Sequence, residues 1–241
     1  MTVAEQVLRE EDQRERGQRI HDRILLLTLF ARVAQQGYIG DPMKVQKTVF
    51  LVEYNAAPEN MLIFHYPYFR WKYGPFSKEL KDDYRLLSDS AGLGYLRELD
   101  QFDLQPKAVA LAEAFWLDVV TDQRNEGIRK VLEATVASCA GKRGWDLQKK
   151  VYELKVCSAL CRHTRPEERT LRTVRDTPES YEFFLVPPAP RQTLVIPQDW
   201  KETLSIELAE HSEARKSLER AEADIAAGRV EDGIFPADVE D

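Results

Sequence analysis

Cys157, Cys161 and His163 come nearest to a metal site in this chain, because thiolate and imidazole are the ligands that zinc accepts in tetrahedral sets. They supply three ligands and no second Cys-x-x-Cys half, so cysteines that pack as small apolar residues are the better account and no metal or other cofactor is expected. Asp82-Asp83 is a candidate carboxylate pair, but neighbouring residues on a helix diverge by about 100° and do not face one another, which suits a solvated face. The four histidines (His21, His65, His163 and His211) are scattered through different expected elements. No nucleophile elbow, phosphate loop, dinucleotide fingerprint or His-Glu-x-x-His element occurs. A binding protein rather than an enzyme is therefore expected.

The elements that would position these residues follow from periodicity. Ile20, Ile24, Leu27, Phe30 and Ala34 keep helical spacing up to Gly37, which suits a left-handed cap. Asp41-Pro42 supplies an N-cap and a first-turn proline for a second helix with Val45, Val49 and Val52 on one face and Lys44 and Lys47 largely outside it. Leu62, Phe64, Tyr66 and Tyr68 alternate with Ile63, His65, Pro67 and Phe69, the period of an extended segment that Pro67 breaks or keeps to an edge. Tyr73-Gly74-Pro75-Phe76-Ser77 reads as a turn whose serine caps a helix from Lys78 to Ala91, with Leu80, Tyr84 and Leu87 inward and Gly92 as its stop. Leu93 to Leu104 suits a hairpin, and Pro106 opens helical sequence to about Arg162, broken near Gly127 and at residues 141–144. Short strands are expected at 181–186 and 193–196.

The fold class expected is mostly α (α+β), in the order of a winged-helix variant with additional packed helices and a C-terminal amphipathic helix. Residues 1–19 read as a charged extension, 20–162 as the main helical domain, 163–198 as a polar, proline-rich connector and 199–241 as an acidic tail. The 241 residues carry a net charge of -7. Residues 199–241 hold five Lys/Arg against thirteen Asp/Glu, so the tail accounts for the imbalance and suits a basic protein partner. No apolar run reaches the roughly 20 residues of a membrane-spanning helix, no secretory signal is legible, and a cytoplasmic location with reduced thiols is expected.

Lys44-Val45-Gln46-Lys47-Thr48-Val49-Phe50-Leu51, then Tyr73-Gly74-Pro75-Phe76-Ser77-Lys78-Glu79-Leu80 and Gly92-Leu93, carry the most information. In order and spacing this series resembles the Panacea domain of SocA-like antitoxins over about residues 20–115. Val45 departs from the leucine common there, and Leu104-Gln105-Pro106-Lys107 matches the following motif only loosely. Ser205 to Val230, in particular Leu218 to Arg229, resembles the toxin-wrapping C-terminal segment of Phd/YefM-type antitoxins, although the usual DNA-binding start of that family is not recognisable here.

These resemblances imply a bacterial or phage-defence antitoxin that blocks a cognate toxin by contact. The expected contacts are Tyr66, Tyr68, Trp71, Tyr73 and Phe76 on the domain, and Leu204, Leu208, Leu218, Ala221 and Ile225 as the apolar seam of the tail. Two other readings stay open. One is a winged-helix regulator that reads operator DNA with Lys78, Lys81 and Arg85, against which Glu79, Asp82 and Asp83 weigh. The other is an adaptor that hands a partner to a protease or chaperone.

Overall fold

A computed structural model describes residues 14–89, 93–96, 101–159, 167–174, 183–184 and 192–202. Leu204, Leu208, Leu218, Ala221, Ile225, Gly92, Cys161 and His163 lie outside these residues. The described residues are mostly helical, with three small sheets among them.

Two helices form its centre. Helix α1 (Arg16–Gln36) buries every residue from Ile24 to Ala31, and α2 (Pro42–Ala56) buries every residue from Lys44 to Glu53. A helix covered on all sides has no solvent face, so a single apolar stripe was too narrow a description for either. Lys44 and Lys47, expected largely outside the apolar face, are 0% and 3% exposed. Asp41 caps α2 as its sequence suggests, accepting from the Lys44 amide at 2.6 Å. Gly37 ends α1 in extended backbone (φ 179°) rather than left-handed; a Cβ there would come within 2.5 Å of the Ala140 carbonyl oxygen.

The sheath around this pair is built from α3 (Lys78–Asp89), α4 (Pro106–Phe115), α5 (Glu126–Cys139) and α6 (Gly144–Tyr152). Helix α4 packs on α1, and α2 packs on both α5 and α6. Between α4 and α5 the chain makes a π turn at Trp116–Val120 and a 3-10 turn at Gln123–Asn125, so the break falls just before Gly127.

Strands β2 (Phe69–Trp71) and β3 (Gly74–Phe76) form a hairpin in which Trp71 pairs with Gly74 across Lys72 and Tyr73. Gly74 sits at φ +101°, where a side chain would be strained. The hairpin is the edge of a five-stranded sheet completed by β8 (Phe183–Phe184), β6 (Lys155–Ala159) and β7 (Glu167–Thr170). Strand β6 replaces the end of the helical run expected to reach Arg162. The expected hairpin at 93–104 is present as β4 (Leu93–Leu96) and β5 (Gln101–Leu104), paired from Leu93–Leu104 to Leu96–Gln101.

Residues 63–68 form no ladder despite their alternation; only β1 (Met61–Leu62) is a strand, paired in parallel with β9 (Gln192–Thr193). Buried carboxylates supply what a neighbouring strand would have supplied. Glu53 accepts from the amides of Ile63 (3.0 Å) and Phe64 (2.6 Å), and Asp22 accepts from that of His65 (3.1 Å).

Residues on both sides of the expected 198/199 boundary touch the helical body. Asn125 exchanges hydrogen bonds with the Val195 backbone (2.8 and 3.0 Å), and the Trp200 ring meets Phe115 edge to face at 5.2 Å. Residues 192–202 are thus fastened to the body. No helix among the described residues is long and apolar enough to cross a membrane.

Candidate interaction surface and its support

The polar residues of buried α2 explain why the two central motifs occur together. Lys44 Nζ donates to the carbonyls of Tyr38 (2.5 Å) and Ala140 (2.7 Å) and lies over the Tyr38 ring. Lys47 Nζ donates to the Pro75 carbonyl at 3.0 Å. Gln46 makes a paired contact with Ser77, its amide donating to the Ser77 carbonyl and its carbonyl accepting the Ser77 amide, both at 2.9 Å. Ser77 Oγ in turn accepts from the Leu80 amide at 3.3 Å, capping α3. The Lys-Val-Gln-Lys residues therefore grip the Tyr-Gly-Pro-Phe-Ser turn by its backbone. Burial pushes the Lys44 amine down to about 8 and the Lys47 amine to about 7, the nearby Arg70 charge adding to the second shift.

The turn so held lifts an aromatic cluster to the surface. Trp71 is 43% exposed, Tyr73 41% and Trp145, at the start of α6, 55%. Tyr73 meets Trp145 edge to face at 5.7 Å, and Trp71 rests on Phe69 (5.8 Å) and Phe76 (6.0 Å), both half-buried. Tyr152 ties α6 to the hairpin by donating to the Lys72 carbonyl at 3.3 Å. Of the five residues expected on a domain contact surface, Trp71, Tyr73 and Phe76 come together here. Tyr66 and Tyr68, each 6% exposed, do not. Tyr66 donates to Asp83 at 3.0 Å and Tyr68 packs on Phe50, so both are core residues, and burial raises both phenols well above their ordinary pKa. Trp145 was missed because it lies 72 residues from Tyr73 and carries no local motif.

A second cluster is internal. Arg14, from the stretch read as a charged extension without a role, is buried and ion-paired to Asp22 (2.6 Å), Asp83 (2.8 Å) and Glu79. Burial opposes its charge, but Asp83, Tyr66 and Asp22 outweigh that and hold its pKa above the ordinary value. Arg23 binds the second oxygen of Asp83 at 2.7 Å, and His65 Nδ1 lies 2.9 Å from Asp22. Asp83 is 1% exposed, which corrects its assignment to a solvated helix face; Asp82, one residue away, is exposed. The histidines are not all scattered either, since the His21 and His65 rings meet at 5.1 Å. Every charge in this cluster is spent on another element of the fold, which makes it a clamp between α1, α3 and residues 65–66.

His21 adds an acid sensitivity. Its Nε2 is buried without a hydrogen-bond partner, and burial lowers its pKa to about 4, with Asp22 opposing and His65 and Lys201 reinforcing the shift. A base whose folded pKa lies below its unfolded value costs stability as pH falls from about 6.5 towards 4, because the unfolded chain takes the proton first. His21→Phe is expected to remove at most about 3 kcal/mol of that loss, read as a smaller drop in the urea midpoint between pH 7 and pH 4.5.

Cys139 is a free, buried thiol in α5. No group of His, Cys, Asp and Glu among the described residues is arranged to hold a metal ion. No family model, curated protein or solved structure matches the chain.

Proposed function

We propose that this chain is an antitoxin that neutralises a cognate toxin by direct contact, without catalysis. The observation that carries this reading is the exposure of Trp71 and Tyr73 on a hairpin held by Lys47 and Gln46, with the exposed Trp145 of α6 against Tyr73. Exposed tryptophan and tyrosine on a backbone that does not need to reorder combine large contact area with a small entropic cost, the property of binding hot spots. The resemblance of residues 44–93 to the Panacea domain supports it, as does that of residues 218–229 to a toxin-wrapping tail.

The test is co-production of the tagged chain with the product of its neighbouring gene, scored by growth and by co-purification. Full-length protein retains the partner and restores growth. A truncation ending at Glu202 retains residues 1–202 and removes the rest of the tail, and we expect it to lose most of the rescue. One ending at Pro197 also loses the Trp200–Phe115 contact and is expected to unfold more easily by at least about 1 kcal/mol. Absence of both rescue and co-purification with the full chain rejects the reading.

One observation favours a second reading, a regulator that binds operator DNA. Glu79 is ion-paired to Arg14 and Asp83 is buried, so two of the three acids that interrupt Lys78, Lys81 and Arg85 are withdrawn from the outer face of α3. A fragment of the neighbouring promoter shifted at low salt, and released by Lys78→Glu with Arg85→Glu, would support it.

A further inference from the structure

Lys44 and Lys47 both lie on buried α2, but the fold provides for them differently. The Lys44 amine donates to two carbonyls, those of Tyr38 and Ala140, and lies 3.6 Å over the Tyr38 ring, a set that suits a charged ammonium. Among the described residues Lys47 donates to the Pro75 carbonyl alone and forms no ion pair. An ammonium brings three donors and a full charge, so a buried site with one acceptor leaves it short of partners, whereas a neutral amine loses far less there. The titratable groups that face Lys47 reinforce this: Arg70 on β2 opposes its charge more than Asp41 at the head of α2 favours it, and Asp41 is already engaged by the Lys44 amide. Helix α6 adds only an apolar wall, for a Cβ built on Gly74 would meet Lys47 Cε at 3.5 Å and Val151 Cγ2 at 3.7 Å. The lysine stem therefore lies directly against the turn of the β2–β3 hairpin, where Gly74 holds its φ of +101°.

We propose that Lys47 is a proton-operated latch on the β2–β3 hairpin: the neutral amine fastens Pro75 to α2, and uptake of a proton favours an opened hairpin in which the ammonium reaches water. The latch is a property of the fold and holds whatever the chain binds. Its link is the Pro75 carbonyl, which belongs to β3 while the donor belongs to α2, so the bond crosses from hairpin to helix. The next anchor along the chain is the Gln46–Ser77 pair, which is uncharged and does not titrate, so the opening stops at Ser77 and falls on residues 69–76. Burial sets the direction. The amine titrates at about 7 when enclosed and about 10.5 when solvated, so between these values the open form holds more protons and the hairpin tightens as pH rises; below about 7 it is loosest. Trp71 and Tyr73 ride exposed on this hairpin, so the proton on Lys47 sets how firmly they are held.

The experiment uses the full-length chain and two readouts. The carbon-13 resonance of the Lys47 Cε is expected to titrate with a midpoint near 7, and no midpoint below pH 9 overturns the latch. Amide exchange is then measured at pH 6 and pH 8 and corrected for the intrinsic pH dependence of exchange. Protection of residues 69–76 is expected to rise about 10-fold between the two, the factor given by an enclosed value of about 7 and a solvated one of about 10.5. Lys47→Met takes up no proton and is expected to abolish the rise; the same rise in the variant overturns the proposal. A comparison within the wild-type protein stands even if that variant does not fold. Strands β4 and β5 pack on α3 and α1 and are expected to show a smaller rise than the β2–β3 hairpin. An equal rise in both hairpins means that Lys47 acts on global unfolding alone, and it overturns the latch.

Discussion

Asp22→Ala is expected to destabilise the protein by about 3–5 kcal/mol. Asp22 is 0% exposed and serves three groups at once: the Arg14 guanidinium, the His65 ring and the His65 backbone amide. Removing it leaves a buried arginine with one fewer counter-charge and an extended segment with an unsatisfied amide, and both penalties act in the same place. The melting temperature should fall by roughly 10 °C, at about 2–4 °C per kcal/mol for a body of this size. Asp22→Asn, which still accepts from the amide but loses the charge, should fall between wild type and alanine. Equal melting of Asp22→Ala and wild type would show that the clamp contributes nothing.

Lys47→Met is expected to change the pH dependence of stability and to reverse the order of the two proteins. The Lys47 amine titrates at about 7 in the fold against about 10.5 in the unfolded chain. Its folded pKa is lowered, so over the window from about 7 to 10.5 the unfolded state holds more protons and wild-type stability rises with pH. That window corresponds to at most about 5 kcal/mol. Above it the neutral amine donates to the Pro75 carbonyl at no charging cost. Methionine fills similar volume without donating, so at pH 10 the variant should be less stable by about 1–3 kcal/mol. At pH 7 and below, where wild type carries the cost of a buried lysine, the variant should be equal or more stable. Urea unfolding of both proteins at pH 7 and pH 10 isolates this group, since other titrations cancel in the difference; parallel curves would contradict it.

The helix starts and turns were legible because their causes are local. Asp41-Pro42, Ser77 and Pro106 each act within one turn of chain, and each opens a helix where expected. The alternating run at 62–69 misled because periodicity reports which side chains are apolar and not where the backbone finds its hydrogen bonds. Ile63 and Phe64, on opposite sides of the run, are both buried, and distant carboxylates replace the ladder. Lys44 and Lys47 misled for a related reason. A lysine is read as exposed unless its partners are visible, and here they are backbone carbonyls up to 96 residues away.

The exposed aromatic residues were half legible. Trp71, Tyr73 and Phe76 lie within six residues of one another and stood out as a group, whereas Tyr66 and Tyr68 shared their composition but belong to the core. Nothing in the sequence joins Trp145 to them, because α6 meets the hairpin through contacts between residues more than 70 apart in the chain, Tyr152 on the Lys72 carbonyl and Trp145 on Tyr73. The clamp around Arg14 was invisible for the same reason, its members being drawn from residues 14, 22, 23, 65, 79 and 83.

The most direct test of the central claim is amide hydrogen exchange of the full-length chain with and without an equimolar amount of the neighbouring gene product. Slower exchange is expected at residues 69–76 and 144–152 in the complex, with the buried amides of α1 unchanged. A complex that forms with no added protection in either segment would contradict it.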